Sequence, residues 1–128
     1  TVGSAASMLS VYGMCRLFGL DDSLTVSLIP KSVTTPIAVS IAEPAGGVVP
    51  ITVVAVIGTG ILGSIIAPLL IRVFKVTDPM AAGLAIGASS HAVGTSKAIE
   101  LGEVEGAMSG LAIGVCGIIT VLISMVIL

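Results

Sequence analysis

The sequence predicts an all-α integral membrane protein: a multispanning helix bundle with two interrupted helices and an internal repeat. Three observations predict it. Hydrophobic residues make up 55% of the 128 positions and charged residues only 9%, where a soluble domain carries about 25% charged. Mean hydropathy is +1.23. Two long stretches have no formal charge, Pro44 to Ile71 (28 residues) and Gly106 to Leu128 (23 residues); a spanning helix needs about 20. Seven acidic and five basic residues cannot cover a water-facing surface. Disorder is excluded by the apolar majority. A disulfide scaffold is excluded because Cys15 and Cys116 are the only cysteines. A net charge of −2 without a basic cluster excludes nucleic acid as a partner. The lipid bilayer is the partner that composition implies. The chain reads as one membrane domain, 1–128, and its start at Thr1 reads as a piece of a longer protein.

Charges and caps mark five segments. Segment A, about 1–20, is uncharged up to Arg16. Segment B, about 23–43, follows Asp22 and Ser23, which are placed to cap it. It carries Lys31 near its middle and is interrupted by Pro30 and Pro36. Segment C, about 48–72, is uncharged until Arg72, and Pro68 predicts a kink in it. Segment D, about 79–101, begins with Asp78 as N-cap and Pro79 at the first helical position. It carries His91 near its middle, with Gly94 as the expected break. Segment E, about 105–128, closes the chain. If B and D each cross, Arg16, Arg72 and Lys75 share one side and Glu43, Glu100, Glu103 and Glu105 the other. The positive-inside rule then makes the basic side cytoplasmic.

The segments match one another. Arg16, Phe18 and Asp22 lie over Arg72, Phe74 and Asp78 at an offset of 56. Further on, at an offset of 60, Lys31 lies over His91, and Val33, Thr35, Ala38, Glu43 and Gly46 recur as Val93, Thr95, Ala98, Glu103 and Gly106. Polar residues are among those shared, which favours a repeat over chance. Corresponding interrupted segments in two halves point to a transporter binding site. Broken backbone in lipid needs partners from protein or a water-filled cavity, so B and D are expected to face each other.

The candidate site follows from these breaks. An ammonium at mid-membrane is costly, and an anion bound by Lys31 would offset that cost. The competing reading is a lysine that snorkels to the interface. Ser32, Thr34 and Thr35 follow where a half-helix could begin, and free N–H groups at such an end suit a carboxylate. Bonding of these hydroxyls to their own helix carbonyls is the alternative. His91, the only histidine, is placed to donate to a bound acid or exchange a proton, or is simply hydrogen-bonded in place. Thr95 and Ser96 continue that polar run, and Lys97 is either a further substrate contact or an interfacial anchor. Lys31, Ser32, Thr34, Thr35, His91, Thr95, Ser96 and Lys97 are thus the candidate binding residues, and a small carboxylate is the ligand they suit.

Small residues supply the packing. Gly83 and Gly87 on D, and Gly106, Gly110 and Gly114 on E, recur every four residues and favour close helix approach in lipid. No metal-ligand set, phosphate-binding loop or nucleophile elbow is present in the sequence. No cofactor or metal is expected, and the chain does not read as an enzyme. A homo-oligomer is expected.

The runs Pro30-Lys31-Ser32-Val33-Thr34-Thr35-Pro36-Ile37-Ala38, Gly46-Gly47, Gly58-Thr59-Gly60-Ile61 and Ser90-His91-Ala92-Val93-Gly94-Thr95-Ser96-Lys97-Ala98 resemble the LrgB/CidB family over nearly the whole chain. The resemblance implies the C-terminal part of a longer protein. It implies either of two activities. One is an antiholin- or holin-like regulator of murein hydrolase activity and autolysis, working beside a small LrgA/CidA-like membrane partner. The other is a carrier of small monocarboxylates of the pyruvate, glycolate and glycerate class. The first points to a bacterial cytoplasmic membrane; the plastid envelope is the alternative location. Folds grouped with this family use inverted repeats, whereas crossing segments B and D would run in the same sense.

Overall fold

A computed structural model describes residues 2–128 as six helices: α1 (Val2–Leu17), α2 (Asp22–Leu28), α3 (Thr35–Ala42), α4 (Val49–Val73), α5 (Pro79–Leu101) and α6 (Glu103–Ile127). No strand occurs among the described residues. The five segments are all present, with B divided into α2 and α3. Two helices, α4 and α6, are long and apolar enough to cross a membrane, with mean hydropathies of 2.3 and 2.6 over their most apolar stretches. Only 17% and 28% of those stretches is buried. A core helix of a soluble protein would be mostly buried; here Ile65, Leu69, Ile118 and Met125 face outward. Outward apolar surface on helices of this length is what a lipid solvent requires.

The connections explain where helices stop. At the end of α1, Gly19 has φ +68°, its N–H donates to Arg16 O, and the Leu20 N–H donates to Cys15 O. The end of α4 repeats this geometry: Lys75 has φ +51°, its N–H donates to Arg72 O, and the Val76 N–H donates to Ile71 O. Both are Schellman caps, in which a left-handed residue turns the chain and satisfies orphan carbonyls. Each is followed by an aspartate N-cap. Asp78 accepts from Met80 N–H at 3.0 Å as the sequence predicts. At α2 the cap is Asp21, which accepts from Leu24 N–H at 3.3 Å, and neither Asp22 nor Ser23 takes that place. Helix α4 continues through Pro68.

Each interrupted segment folds back on itself. Ser23 Oγ at the start of α2 donates to Gly46 O at 3.0 Å, beyond the end of α3. Ser27 Oγ donates to Ser23 O and accepts from Val48 N–H at 2.7 Å. Residues 46–48 therefore return alongside α2, and the turn at 29–34 is the tip of a helical hairpin. Gly47 fits there because a Cβ would meet Ala42 O at 2.9 Å and Ser27 Oγ at 3.1 Å. Helix α5 reverses at a single residue, His91, whose φ of +42° and ψ of −140° are not helical. The halves then lie together: a Cβ on Gly94 would meet the Ile86 side chain at 3.1 Å, and Ala98 shares a buried cluster with Ile86 and Ala67. The chain thus returns to the level of Gly83 before α6 starts.

Two sequence expectations are corrected here. The break in D falls at His91, not Gly94; Gly94 supplies space for the returning half. The basic ends of α1 and α4 do not share a side. Because α2–α3 folds back, α4 starts at the end where α1 finishes, and Arg72 ends up at the opposite end of the molecule from Arg16.

Glycine packing is also divided. Helix α5 meets α6 where Gly83 lies against the Glu105 backbone and Gly87 against the Ser109 backbone; neither position has room for a Cβ. Gly106 packs against Ile99, where a Cβ would come within 2.8 Å. Gly110 and Gly114 have nothing within 4 Å and are exposed. A four-residue spacing advances about 40° per step on a 3.6-residue helix, so the stripe rotates out of the seam. Ser109, Ala112, Cys116, Thr120 and Ser124 carry the buried face onward instead.

Candidate functional site

The tip of the α2–α3 hairpin carries Lys31. Pro30 is buried beneath it, and Val33 packs with Ala38 and Val56. This anchoring holds the turn in the interior, although its backbone is neither helix nor strand. Helix α3 then begins with Thr34 as N-cap, without a side-chain cap bond, and Pro36 in its first turn. Thr35 is the first helical residue.

Lys31 and Ser32 line a cavity of about 320 Å³ together with Gly3 and Ser7 of α1 and Ala85, Ala88 and Ser89 of α5. Ser32 and Ser7 hydroxyls are hydrogen-bonded at 2.6 Å. Ser89 donates to Ala85 O at 2.8 Å and is 3.1 Å from the Ser90 hydroxyl. Lys31 is half-buried and has no ion-pair partner among the described residues. The cavity thus gathers one ammonium and three hydroxyls between small side chains. An ammonium with hydroxyls so placed has the chemistry to bind a small anion: the charge would meet the ammonium and the hydroxyls would orient it.

The other sequence-predicted site residues are not brought to this cavity. His91 is buried with its ring turned to α4, where Nε2 lies 2.8 Å from Val56 O. A carbonyl only accepts, so Nε2 carries the proton. Gly60 makes the room, since a Cβ there would lie 2.6 Å from the imidazole. Thr95 is 2.7 Å from the Ser109 hydroxyl and donates to His91 O, binding the returning half of α5 to α6 and its own turn. Ser96 donates to Ala92 O at 3.5 Å. Lys97 is paired with Glu100. These four do not line the Lys31 cavity, and their side chains are hydrogen-bonded or ion-paired within the protein. Thr34 and Thr35 border the tip without lining the cavity. Sequence reasoning missed Ser7 and Ser89 as site residues. Ser89 stood in the polar run before His91, but nothing in the sequence singled out Ser7.

The fold and the cavity together define a class: an all-helical membrane protein with two helices long and apolar enough to cross a membrane and two helical hairpins. The chain belongs to the LrgB-like family, which it matches over residues 1–128. It is 40% identical to the "Antiholin-like protein LrgB" of Bacillus mycoides (strain KBAB4) over 122 residues, 95% of this chain and 53% of that protein. It is 40% identical to "Uncharacterized protein YxaC" of Bacillus subtilis (strain 168) over 118 residues, 92% of this chain and 51% of that protein. The antiholin-like LrgB protein of Bacillus cereus (strain B4264) is 39% identical over 122 residues, 95% of this chain and 53% of that protein. The chain spans about half the length of these curated relatives. No solved structure matches it. Neither the family description nor these names carries an enzymatic activity.

Proposed function

We propose that this protein binds a small monocarboxylate at Lys31 and carries it across a bacterial cytoplasmic membrane. The observation that carries the reading is the unpaired, half-buried Lys31 in a hairpin tip, facing Ser7, Ser32 and Ser89 across one cavity. A lysine in such a place is a functional position by default, because its burial in an apolar medium is unfavourable without an anion. The two helix-plus-hairpin units, α1 with α2–α3 and α4 with α5, are proposed as repeats of opposite orientation. Their matching Schellman caps and opposite directions support this, and such repeats place a substrate between them. The protein reconstituted in liposomes is expected to take up labelled pyruvate or glycolate, with uptake lost in Lys31→Ala. Unchanged uptake in that variant removes the site.

A second reading is favoured by the relatives' names: an antiholin-like regulator of murein hydrolase activity and autolysis. It would act through homo-oligomers beside a small LrgA/CidA-like membrane partner. The outward-facing Gly110 and Gly114 suit helix approach from outside. In a lysis assay, Gly110→Leu with Gly114→Leu would then alter autolysis while Lys31→Ala would not. The reverse pattern favours the carrier, and both readings hold if carboxylate flux sets autolysis.

A further inference from the structure

The Lys31 cavity adjoins a second, larger one. A cavity of about 400 Å³ lies between the C-terminal half of α4 and the first half of α5, with Leu70, Ile71, Phe74 and Ala81 among its walls. Its lining is apolar except for one residue, Ser89. Ala85 and Ser89 line both cavities. They lie one helical turn apart on α5 and are exposed, so neither is covered by another element of the chain. Ala81, Ala85 and Ser89, four residues apart on α5, thus run from the apolar cavity beside Phe74 to the one bordered by an ammonium and hydroxyls at Lys31.

We propose that the preferred ligand is a monocarboxylate bearing a short apolar tail, with its carboxylate at Lys31 and its tail along Ala85 into the apolar cavity. This rests on the carboxylate reading above and narrows its substrate class. Charge complementarity fixes the head, because Lys31 is the only cation among the described residues that line either cavity. The shared floor fixes the direction of the tail, because Ala85 and Ser89 line both cavities and their side chains are small. A two- or three-carbon acid would leave the apolar walls unfilled. Each added carbon buried there strengthens binding.

The test compares pyruvate with 4-methyl-2-oxopentanoate, which share the 2-oxo acid head and differ in tail. Binding to the purified protein and uptake into proteoliposomes are both measured. The branched acid is expected to bind tenfold or more tighter than pyruvate, and both are expected to be lost in Lys31→Ala. In Ala81→Leu, which fills the apolar cavity, the ratio of the two affinities is expected to fall toward one. Equal affinities, a preference for pyruvate, or a preference that survives Ala81→Leu overturns the proposal and leaves the carboxylate reading standing. Binding of both acids that is indifferent to Lys31→Ala overturns both. The unmodified protein with the two acids decides the matter even if the Ala81→Leu variant does not fold.

Discussion

His91 shows how one residue acquires a structural job that its chemistry did not advertise. It holds a backbone conformation that L-residues seldom adopt, which costs about 1–3 kcal/mol. A hydrogen bond to the α4 backbone and a fitted space over Gly60 offset that strain. Removing the ring leaves the strain without its compensation. His91→Ala is expected to destabilise the protein by about 1–3 kcal/mol, read as a lower unfolding midpoint in detergent. Gly60→Ala should act in the same direction, because the added methyl meets the imidazole. Lys31 belongs to the opposite case. Its side chain makes no hydrogen bond or ion pair among the described residues, so Lys31→Ala should leave the unfolding midpoint near that of the parent while binding is lost. An equal loss of stability in both variants would place Lys31 among the structural residues.

At the scale of elements, the α5–α6 seam depends on where glycine falls. Gly83 and Gly87 sit against carbonyl groups of the neighbouring helix, and the backbone cannot yield as a flexible side chain can. Gly83→Ala and Gly87→Ala are expected to cost about 1–3 kcal/mol each by overpacking. Gly110→Ala and Gly114→Ala meet nothing and should be neutral or stabilising by up to about 1 kcal/mol, since alanine is the better helix former. Thermal unfolding of the four variants checks the contrast. Helix limits and the Asp78 cap were legible in the sequence, because charges, Asp78-Pro79 and the Arg-x-Phe turns are local signals, whereas the cap of α2 fell at Asp21 instead of Asp22 or Ser23. The glycine stripe was half legible: spacing identified a face, but which part of it meets α5 depends on how the helices cross. The break in α5 was misplaced because glycine is the usual residue at a positive φ, and His91 holds one only with help from α4. The position of Lys31 at a break was legible from Pro30 and Pro36. Its companions Ser7 and Ser89 were not, since they arrive from α1 and α5 through long-range packing.

For the whole molecule, the consequential difference is direction. Segments B and D are long enough for one crossing or for two half-helices, and composition does not distinguish these. Only contacts such as Ser23 with Gly46 decide it. With both segments folding back, the matching turns after α1 and α4 lie at opposite ends. Phe18 and Phe74, at equivalent places in those turns, are exposed. A membrane-impermeant maleimide is therefore expected to modify Phe18→Cys from one side of the membrane and Phe74→Cys from the other. Modification of both from the same side would mean that B and D cross after all.

The single-residue reversal in α5 also limits how this chain can vary in length. One extra residue between His91 and Thr95 would rotate the distal rod by about 100°. Thr95 would swing away from Ser109 and Ile99 off Gly106. Insertions and deletions are thus shut out of that corner.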